Sequence, residues 1–299
     1  MNRIRITALL MLVLFMLVSC SKTPAPEASF TVSVQSNVVT FTVTATNASA
    51  FEWDFGDGSS ISTEKDPVHT YTRFDQRYEV SLKVKGPGGE TTVRKTVTIP
   101  PMTTMQMLSG TDPGTAKKWH LSSILPIYFT LPDTNLEVIQ TFPAGFLNQL
   151  GFISVYCDEY LFGAEGSFSV SLKENGIIGG LSYCNRRGIP NIVPSQAARE
   201  NNLTLITPFS PTASMTYGLN EGKDLKISAI INGQGVDVTF RRVSTISLSY
   251  GGFIGIKDVM NEFILKDFSE SNLTLVCFTS SSPSGKITGA LIFTLEPVR

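Results

Sequence analysis

Two aspartates three residues apart, Asp54 and Asp57, lie in the stretch FEWDFGDGSS at residues 51–60, among the aromatics Phe51, Trp53 and Phe55. Paired carboxylates suit two kinds of chemistry. They can hold a hard cation, but calcium takes about six to eight oxygens and two carboxylates in one turn do not supply them. They can cleave a glycosidic bond, but the two groups must then face each other across a substrate, about 5 to 9.5 Å apart. A third reading needs no ligand. Trp53 and Phe55 alternate with Asp54, so the aromatics enter a core while the carboxylate stays at the edge. Gly56 and Gly58 permit positive φ, and Asp57 can accept a hydrogen bond from backbone two residues on. The stretch is read as a turn, with His69 and Tyr71 packing and hydrogen bonding beside it; calcium is the alternative.

Other reactive constellations are sparse. A serine hydrolase would need a motif such as GxSxG and a histidine as base. No GxSxG occurs, and beyond residue 100 the single histidine is His120. Asp158 and Glu159 are the first carboxylates to consider for glycosidic cleavage, but neighbours on a strand point to opposite faces. Glu165, Glu174, Asp224, Asp237, Glu262 and Asp267 offer no basis for choosing a pair. Zinc is not expected, since there is no CxxC and histidine occurs twice. The chain is read as non-catalytic, without cofactor or metal.

Binding chemistry has better candidates. Sugar recognition wants exposed aromatics beside amides and charges, and the pool is Trp119, Tyr128, Tyr156, Tyr183, Tyr217, Tyr250 and Phe253. Core packing is the commoner fate of an aromatic in a β-domain, and for Trp119 it is the favoured one. In SYCNRRGIPN, Tyr183, Asn185, Arg186 and Arg187 fall together in an expected loop, where they could meet an anionic sugar.

The elements that must position these residues are strands. From Phe30, five runs (FTVSV, VVTFTVTA, FEWDF, YEVSLKV and TTVRKTVTI) alternate with a period of two at the spacing of a small sandwich. Phe30, Val32 and Val34 share a face, as do Val39, Phe41 and Val43, and Val80, Leu82 and Val84. Pro100 and Pro101 stop the ladder. Residues 103–299 read as an antiparallel barrel or sandwich of about eight to ten strands. GKDLKISAIINGQGVDVTF and NEFILKDFSESNLTLVCFT are hairpins, with SESN a turn and Phe263, Leu265, Leu273, Leu275 and Cys277 facing a core. Short helices are expected at PAGFLNQLG and SQAARENN, and long loops near 125–155 and 185–200. The fold class is all-β: an N-terminal sandwich at 29–100 and a larger β-domain at 103–299.

The chain begins with a secretory signal over residues 1–19. Arg3 and Arg5 precede an apolar run from Ala8 to Val18, which is shorter than the roughly 20 residues of a spanning helix. LVSC matches the bacterial lipobox, so Cys20 is expected to carry lipid, and residues 20–28 form a Pro-containing tether. Two or three acyl chains anchor firmly where one, at about 0.8 kcal/mol per CH₂, does not. Ser21, in place of an aspartate, favours the outer membrane. Past the signal, 22 basic residues face 25 acidic ones, a net charge near −3, and no basic cluster suggests nucleic acid. Cys157 and Cys184 flank an expected hairpin in an oxidising compartment and are read as a disulfide, although sequence does not fix connectivity. Cys277 is read as a buried thiol.

Two resemblances refine these expectations. WDFGDGSS, then DPVHTYTRFDQRYEVSLKVKGPGGE, closely resembles the polycystic-kidney-disease (PKD) repeat over residues 27–99, matching at Trp53, Asp54, Phe55, Gly56, Asp57, Gly58, His69 and Tyr71. It implies an immunoglobulin-like sandwich. The order of features, with LSG…KKWHL, DEYLFGAEGSFSV and GGFIG…NEFILKDFSESNLTLVCF, resembles bacterial outer-membrane lipoproteins in which a PKD repeat precedes a lipocalin-like or glycan-binding β-domain. Where that set usually has Lys–Thr–Trp, this chain has Lys118, Trp119, His120 and Leu121. The implied partners are the membrane, through lipid, and a polysaccharide; the alternatives are an assembly lipoprotein contacting an envelope protein and, third, a glycoside hydrolase.

Overall fold

The computed structural model describes residues 23–127, 146–174, 176–189, 203–282 and 284–298. Cys20, Tyr128 and the segment SQAARENN lie outside them. The chain divides into two units after Met102.

In the first unit, alternation produces six strands: β1 (Glu27–Gln35), β2 (Val38–Thr46), β3 (Ala50–Asp54), β4 (Val68–Thr70), β5 (Gln76–Gly86) and β6 (Gly89–Ile99). They form two three-stranded sheets, β1-β2-β4 and β3-β5-β6. Phe30, Phe41, Trp53, Phe55, Val80, Leu82 and Val84 fill the core between the sheets. Val32 and Val34 share the face of Phe30 yet emerge to 38% and 37% exposure, so the apolar face of β1 outruns its cover. Burying each large apolar side chain stabilises by about 1.5–3 kcal/mol, and Trp53 sits at the centre, with its ring centroid 5.0 Å from those of Phe30 and Phe41.

The second unit opens with α1 (Thr104–Ser109), whose N-terminus is closed by a capping box between Thr103 and Gln106. Its strands are β7 (Lys117–Ile127), β8 (Glu159–Phe162), β9 (Ser167–Ser171), β10 (Ile177–Gly180), β11 (Leu203–Ile206), β12 (Met215–Ile231), β13 (Gln234–Leu248), β14 (Ile256–Lys257), β15 (Glu262–Phe268), β16 (Leu273–Thr279) and β17 (Gly289–Pro297). Helices α2 (Phe146–Gln149) and α3 (Leu181–Arg187) lie between them. Eight strands close a barrel in the order β7-β8-β9-β12-β13-β15-β16-β17, and β17 pairs antiparallel with β7. Each barrel strand neighbours the next barrel strand in the chain, an up-and-down meander that leaves no free edge.

Side chains fill the barrel: Trp119, Tyr160, Phe162, Phe168, Phe263, Leu265, Leu275 and Phe293 belong to one buried cluster. A second core lies on the other face of the same wall. The β12–β13 hairpin shifts register between Asn220 and Leu225, and Arg242 adopts a φ of 51° opposite that irregularity. Such bulges bend a strand. The outer half of the hairpin thereby covers the wall, packing Leu225, Ile227 and Phe240 with Ile264, Val276, Phe278 and Ile292. The Ile230 N–H donates to the Ile287 carbonyl at 2.7 Å, and the Ile287 N–H to that of Ser228 at 3.0 Å.

A small sheet completes the unit. β10 pairs antiparallel with β11 and parallel with β14, so that Gly179 lies beside Lys257. β10 runs directly into α3, which sets the side chains of α3 next to those following β14.

Candidate functional site

The aspartate turn is built by its own hydrogen bonds. Asp54 Oδ1 accepts from the Gly56 N–H at 2.9 Å. Asp57 Oδ1 accepts from the Ser59 N–H at 3.0 Å and its hydroxyl at 2.6 Å. Asp57 Oδ2 lies 2.8 Å from His69 Nε2. The His69 ring stacks on Phe55, with centroids 4.0 Å apart at 7°, and the Tyr71 hydroxyl donates to the Phe55 carbonyl at 3.0 Å. Trp53 donates its indole N–H to the Glu64 carbonyl. Gly56 (φ 78°) and Gly58 (φ 81°) supply the left-handed backbone. Asp54 Oδ1 and both oxygens of Asp57 are thus engaged in holding the turn, which supports a structural reading of these residues.

The second candidate, SYCNRRGIPN, begins with a helix where a loop was expected. Leu181–Arg187 form α3, with Arg186 and Arg187 in the last turn and Gly188 as a left-handed cap at φ 63°. Basic residues, then glycine, then proline are the signature of a helix C-terminus, so the signal was present in the sequence. The helix brings Tyr183, Arg186 and Arg187 onto one open cavity of about 290 Å³, shared with Tyr250, Lys257 and Asp258. Asn185 is exposed and does not line it.

Cations and rings alternate along this cavity. The Arg187 guanidinium lies 5.8 Å from the Tyr250 ring centroid and 5.9 Å from that of Tyr183. Lys257 Nζ lies 5.6 Å from the rings of both Tyr183 and Phe253. Arg187 also donates to the Tyr250 hydroxyl. Tyr250 is 73% exposed, an outward aromatic face beside bound cations.

Beneath this row are two buried charges. Lys257 is 7% exposed, and its amine donates to the Gly251 carbonyl at 2.8 Å. Burial, together with the Arg187 charge, pushes it down to about 8. Asp258 is buried to the same degree and accepts from the N–H groups of Tyr183 at 3.3 Å and Ser280 at 2.7 Å. Burial pushes its carboxyl up to about 6 against those bonds. A Cβ at Gly180 would stand 2.2 Å from the Asp258 carboxyl carbon, so only glycine admits the carboxylate against the start of α3. Lys257 and Asp258 were not singled out from the sequence. Their signal was a charged pair inside the apolar run GGFIGIKDVM, since such charges are rarely buried without a role or a partner.

Trp119 takes the core place favoured for it, which removes it from the binding candidates: it is 1% exposed in the barrel interior, and its indole N–H donates to the Leu108 carbonyl at 2.8 Å. One expectation is corrected. Cys157 and Cys184 do not pair; both are free thiols, as is Cys277. They do not flank one hairpin, because β10 and α3 follow the β8–β9 hairpin. α3 carries Cys184 inward, and burial pushes its thiol up to about 11, while Cys157 stays exposed. The remaining aromatics divide similarly: Tyr217 and Phe253 are buried and Tyr156 is half-buried. Of the neighbouring carboxylates, Glu159 pairs with Lys173 at 2.8 Å and Lys118 at 3.5 Å, whereas Asp158 is 1% exposed.

Residues 21–100 match the family model described as PKD domain. The chain is similar to the PKD1 domain of Vibrio anguillarum Epp at 28% identity, with a TM-score of 0.25, covering 26% of this chain and 98% of that one. It is also similar to the PKD1 domain of the Vibrio cholerae metalloprotease PrtV at 32% identity, with a TM-score of 0.24, covering 26% and 99% respectively. The N-terminal unit is therefore a PKD domain, followed by a larger β-sheet domain. Among the described residues no helix is long and apolar enough to cross a membrane.

Proposed function

We propose that this chain is a lipid-anchored envelope protein whose PKD domain serves as a spacer for a non-catalytic barrel that captures an acidic glycan. The observation that carries the reading is the cavity over α3. Three cations and two tyrosines converge there in a protein that is acidic past residue 20, and the tyrosine faces offer stacking surface for a pyranose ring. Arginine forks bind carboxylates in bidentate fashion. Among the described residues lining the cavity, Asp258 is the one carboxylate, and both its oxygens accept backbone N–H groups. That arrangement suits capture and lacks the facing carboxyl pair of a glycosidase. The up-and-down topology supports the lipocalin-like reading of the barrel. Attachment rests on Cys20 and the lipobox, with the outer membrane as the favoured address.

The test is a glycan array of the soluble chain from Ser21, beside the double variant R187Q/Y250A. Signal on uronate-bearing glycans that vanishes in the variant supports the reading. Silence on acidic and neutral glycans alike defeats it. Lipidation is checked separately: an alkyne-palmitate label should enter the full chain in a bacterial host and not Cys20→Ser.

A second reading, an assembly protein contacting another envelope protein, is favoured by the PKD unit. Val32, Val34, Val38, Ile61 and Val68 are all exposed there. A pull-down from envelope extract that depends on these side chains would support it.

A further inference from the structure

The cavity over α3 has a neighbour. A second open cavity, of about 260 Å³, is bounded by Arg186, Lys226, Ser228, Met260, Gly285 and Lys286. The two adjoin. Arg186 lines both, and the chain from the end of β14 onward gives Lys257 and Asp258 to the first and Val259 and Met260 to the second. Arg186 lies closely over the chain at the junction: a Cβ on Gly285 would stand 3.2 Å from Arg186 Nη1. Lys286 in turn reaches the hairpin tip, its Nζ 2.9 Å from the position of a Gly235 Cβ.

Cations outnumber the one carboxylate of the described lining, Asp258, whose oxygens accept backbone N–H groups. Arg187, Lys257, Arg186, Lys226 and Lys286 run along the two cavities. None of them has a carboxylate within 4.0 Å among the described residues, whereas Lys118, Lys173 and Lys223 elsewhere on the barrel do. Among the described residues no aspartate or glutamate lines the second cavity. Such a surplus of positive charge focuses the field and concentrates anions. The lining of the second cavity is mostly polar: Lys226 and Ser228 are exposed on the arm and alternate with Ile227, which turns into the core beneath. A cationic, hydroxyl-bearing lining complements a chain of rings whose edges carry carboxylates and hydroxyls.

Building on the glycan reading above, we propose that the two cavities are consecutive subsites of one groove for a linear, carboxylate-bearing oligosaccharide, with Arg186 clamping the carboxylate between them. Its fork geometry, unlike a lysine ammonium, can grip one carboxylate with two parallel bonds. The first cavity recognises a terminal or near-terminal unit through Tyr250 and Arg187. The second extends the contact along the chain through Lys226 and Lys286.

The experiment is calorimetric titration of the soluble chain from Ser21 with dimers, tetramers and hexamers of galacturonic acid, beside neutral glucose oligomers of the same lengths. The tetramer is expected to bind at least about tenfold more tightly than the dimer, a gain of about 1.4 kcal/mol. Lys226 and Lys286 are both exposed, so K226Q/K286Q should fold normally, keep dimer binding and lose the length gain. R187Q/Y250A should lose the dimer as well. Dimer binding without a length gain, or a gain that persists in K226Q/K286Q, overturns the two-subsite groove and leaves the capture function standing. No binding by any acidic oligomer, or equal binding of the neutral ones, overturns both.

Discussion

Lys257 places a positive charge where the fold resists it, and that resistance is measurable. The folded amine titrates near 8, because of burial and the adjacent Arg187, whereas a lysine in the unfolded chain titrates near 10.4. The gap of about 2.5, at about 1.36 kcal/mol for each, amounts to roughly 3 kcal/mol. Between pH 8 and 10.5 the unfolded state binds more protons than the folded one, so stability rises with pH across that window. Below pH 8 the whole penalty is present. Lys257→Met removes it, and also removes a charge-assisted bond to the Gly251 carbonyl, worth about 1.5–3 kcal/mol. The net offset at pH 7 mixes these effects, so the pH dependence is the clean readout. The stability of K257M minus that of the parent should fall by about 3 kcal/mol from pH 7 to about pH 10.5. Urea unfolding would be followed by fluorescence in a Trp53→Phe background, where Trp119 reports on the barrel alone. A difference that stays constant within about 0.5 kcal/mol would mean that the amine is solvated. The charge would then cost the fold nothing, and the burial argument for the cavity would fail.

Three further outcomes follow from the packing. Gly58→Ala should destabilise the PKD domain by about 1–2 kcal/mol, the left-handed penalty alone, since its Cβ meets nothing within 4 Å. Gly56→Ala adds a Cβ 2.5 Å from the Glu79 carbonyl oxygen and should cost about 1–3 kcal/mol more; Trp53 fluorescence during thermal unfolding ranks the two, and equal losses would contradict the close approach. Asp158 Oδ1 accepts from the Lys173 N–H, Oδ2 is buried with no partner, and burial pushes the carboxyl up to about 6. Since the folded state then binds more protons between about pH 4 and 6, the parent should lose up to roughly 3 kcal/mol relative to Asp158→Asn as pH rises through that window, and parallel pH profiles would refute it. In the chain from Ser21, a thiol reagent should titrate Cys157 in the native state and reach Cys184 and Cys277 only in denaturant; a native count of zero would restore the disulfide.

Local periodicity made the PKD unit legible. Five of its six strands fall on runs whose alternation stands in the sequence, and Trp53, Asp54 and Phe55 take the faces that alternation assigns. β4 is three residues long and carries His69, too short for any period to show. In the barrel, the hairpins around Asn232-Gly233 and Ser269 to Asn272 were legible as turns between alternating runs. The hairpin fold-back was not. It makes β15 and β16 apolar on both faces, so Phe263, Ile264 and Leu265 are consecutively buried and the period of two disappears. The site was half legible. Tyr183, Arg186 and Arg187 are sequence neighbours, whereas Lys257 joins them through a parallel pairing of β10 with β14, a non-local contact with no local signature. Cys157 and Cys184 misled for the same reason: their separation suggested a hairpin, and the intervening β10–α3 corner was not visible in spacing.

The folded-back half of the β12–β13 hairpin has a thermodynamic consequence for the groove. Lys226, Ile227 and Ser228 belong to that arm, and the second cavity is completed by Lys286 and Ile287, the arm being hydrogen-bonded to the backbone of Ile287. That cavity exists only while the arm is docked. The arm's excursions from the wall and its occupancy by an oligosaccharide are thus linked equilibria: each makes the other rarer by the same factor. A bound tetramer should accordingly slow amide exchange along residues 224–240, whereas a bound dimer, held in the first subsite, should leave that exchange where it was.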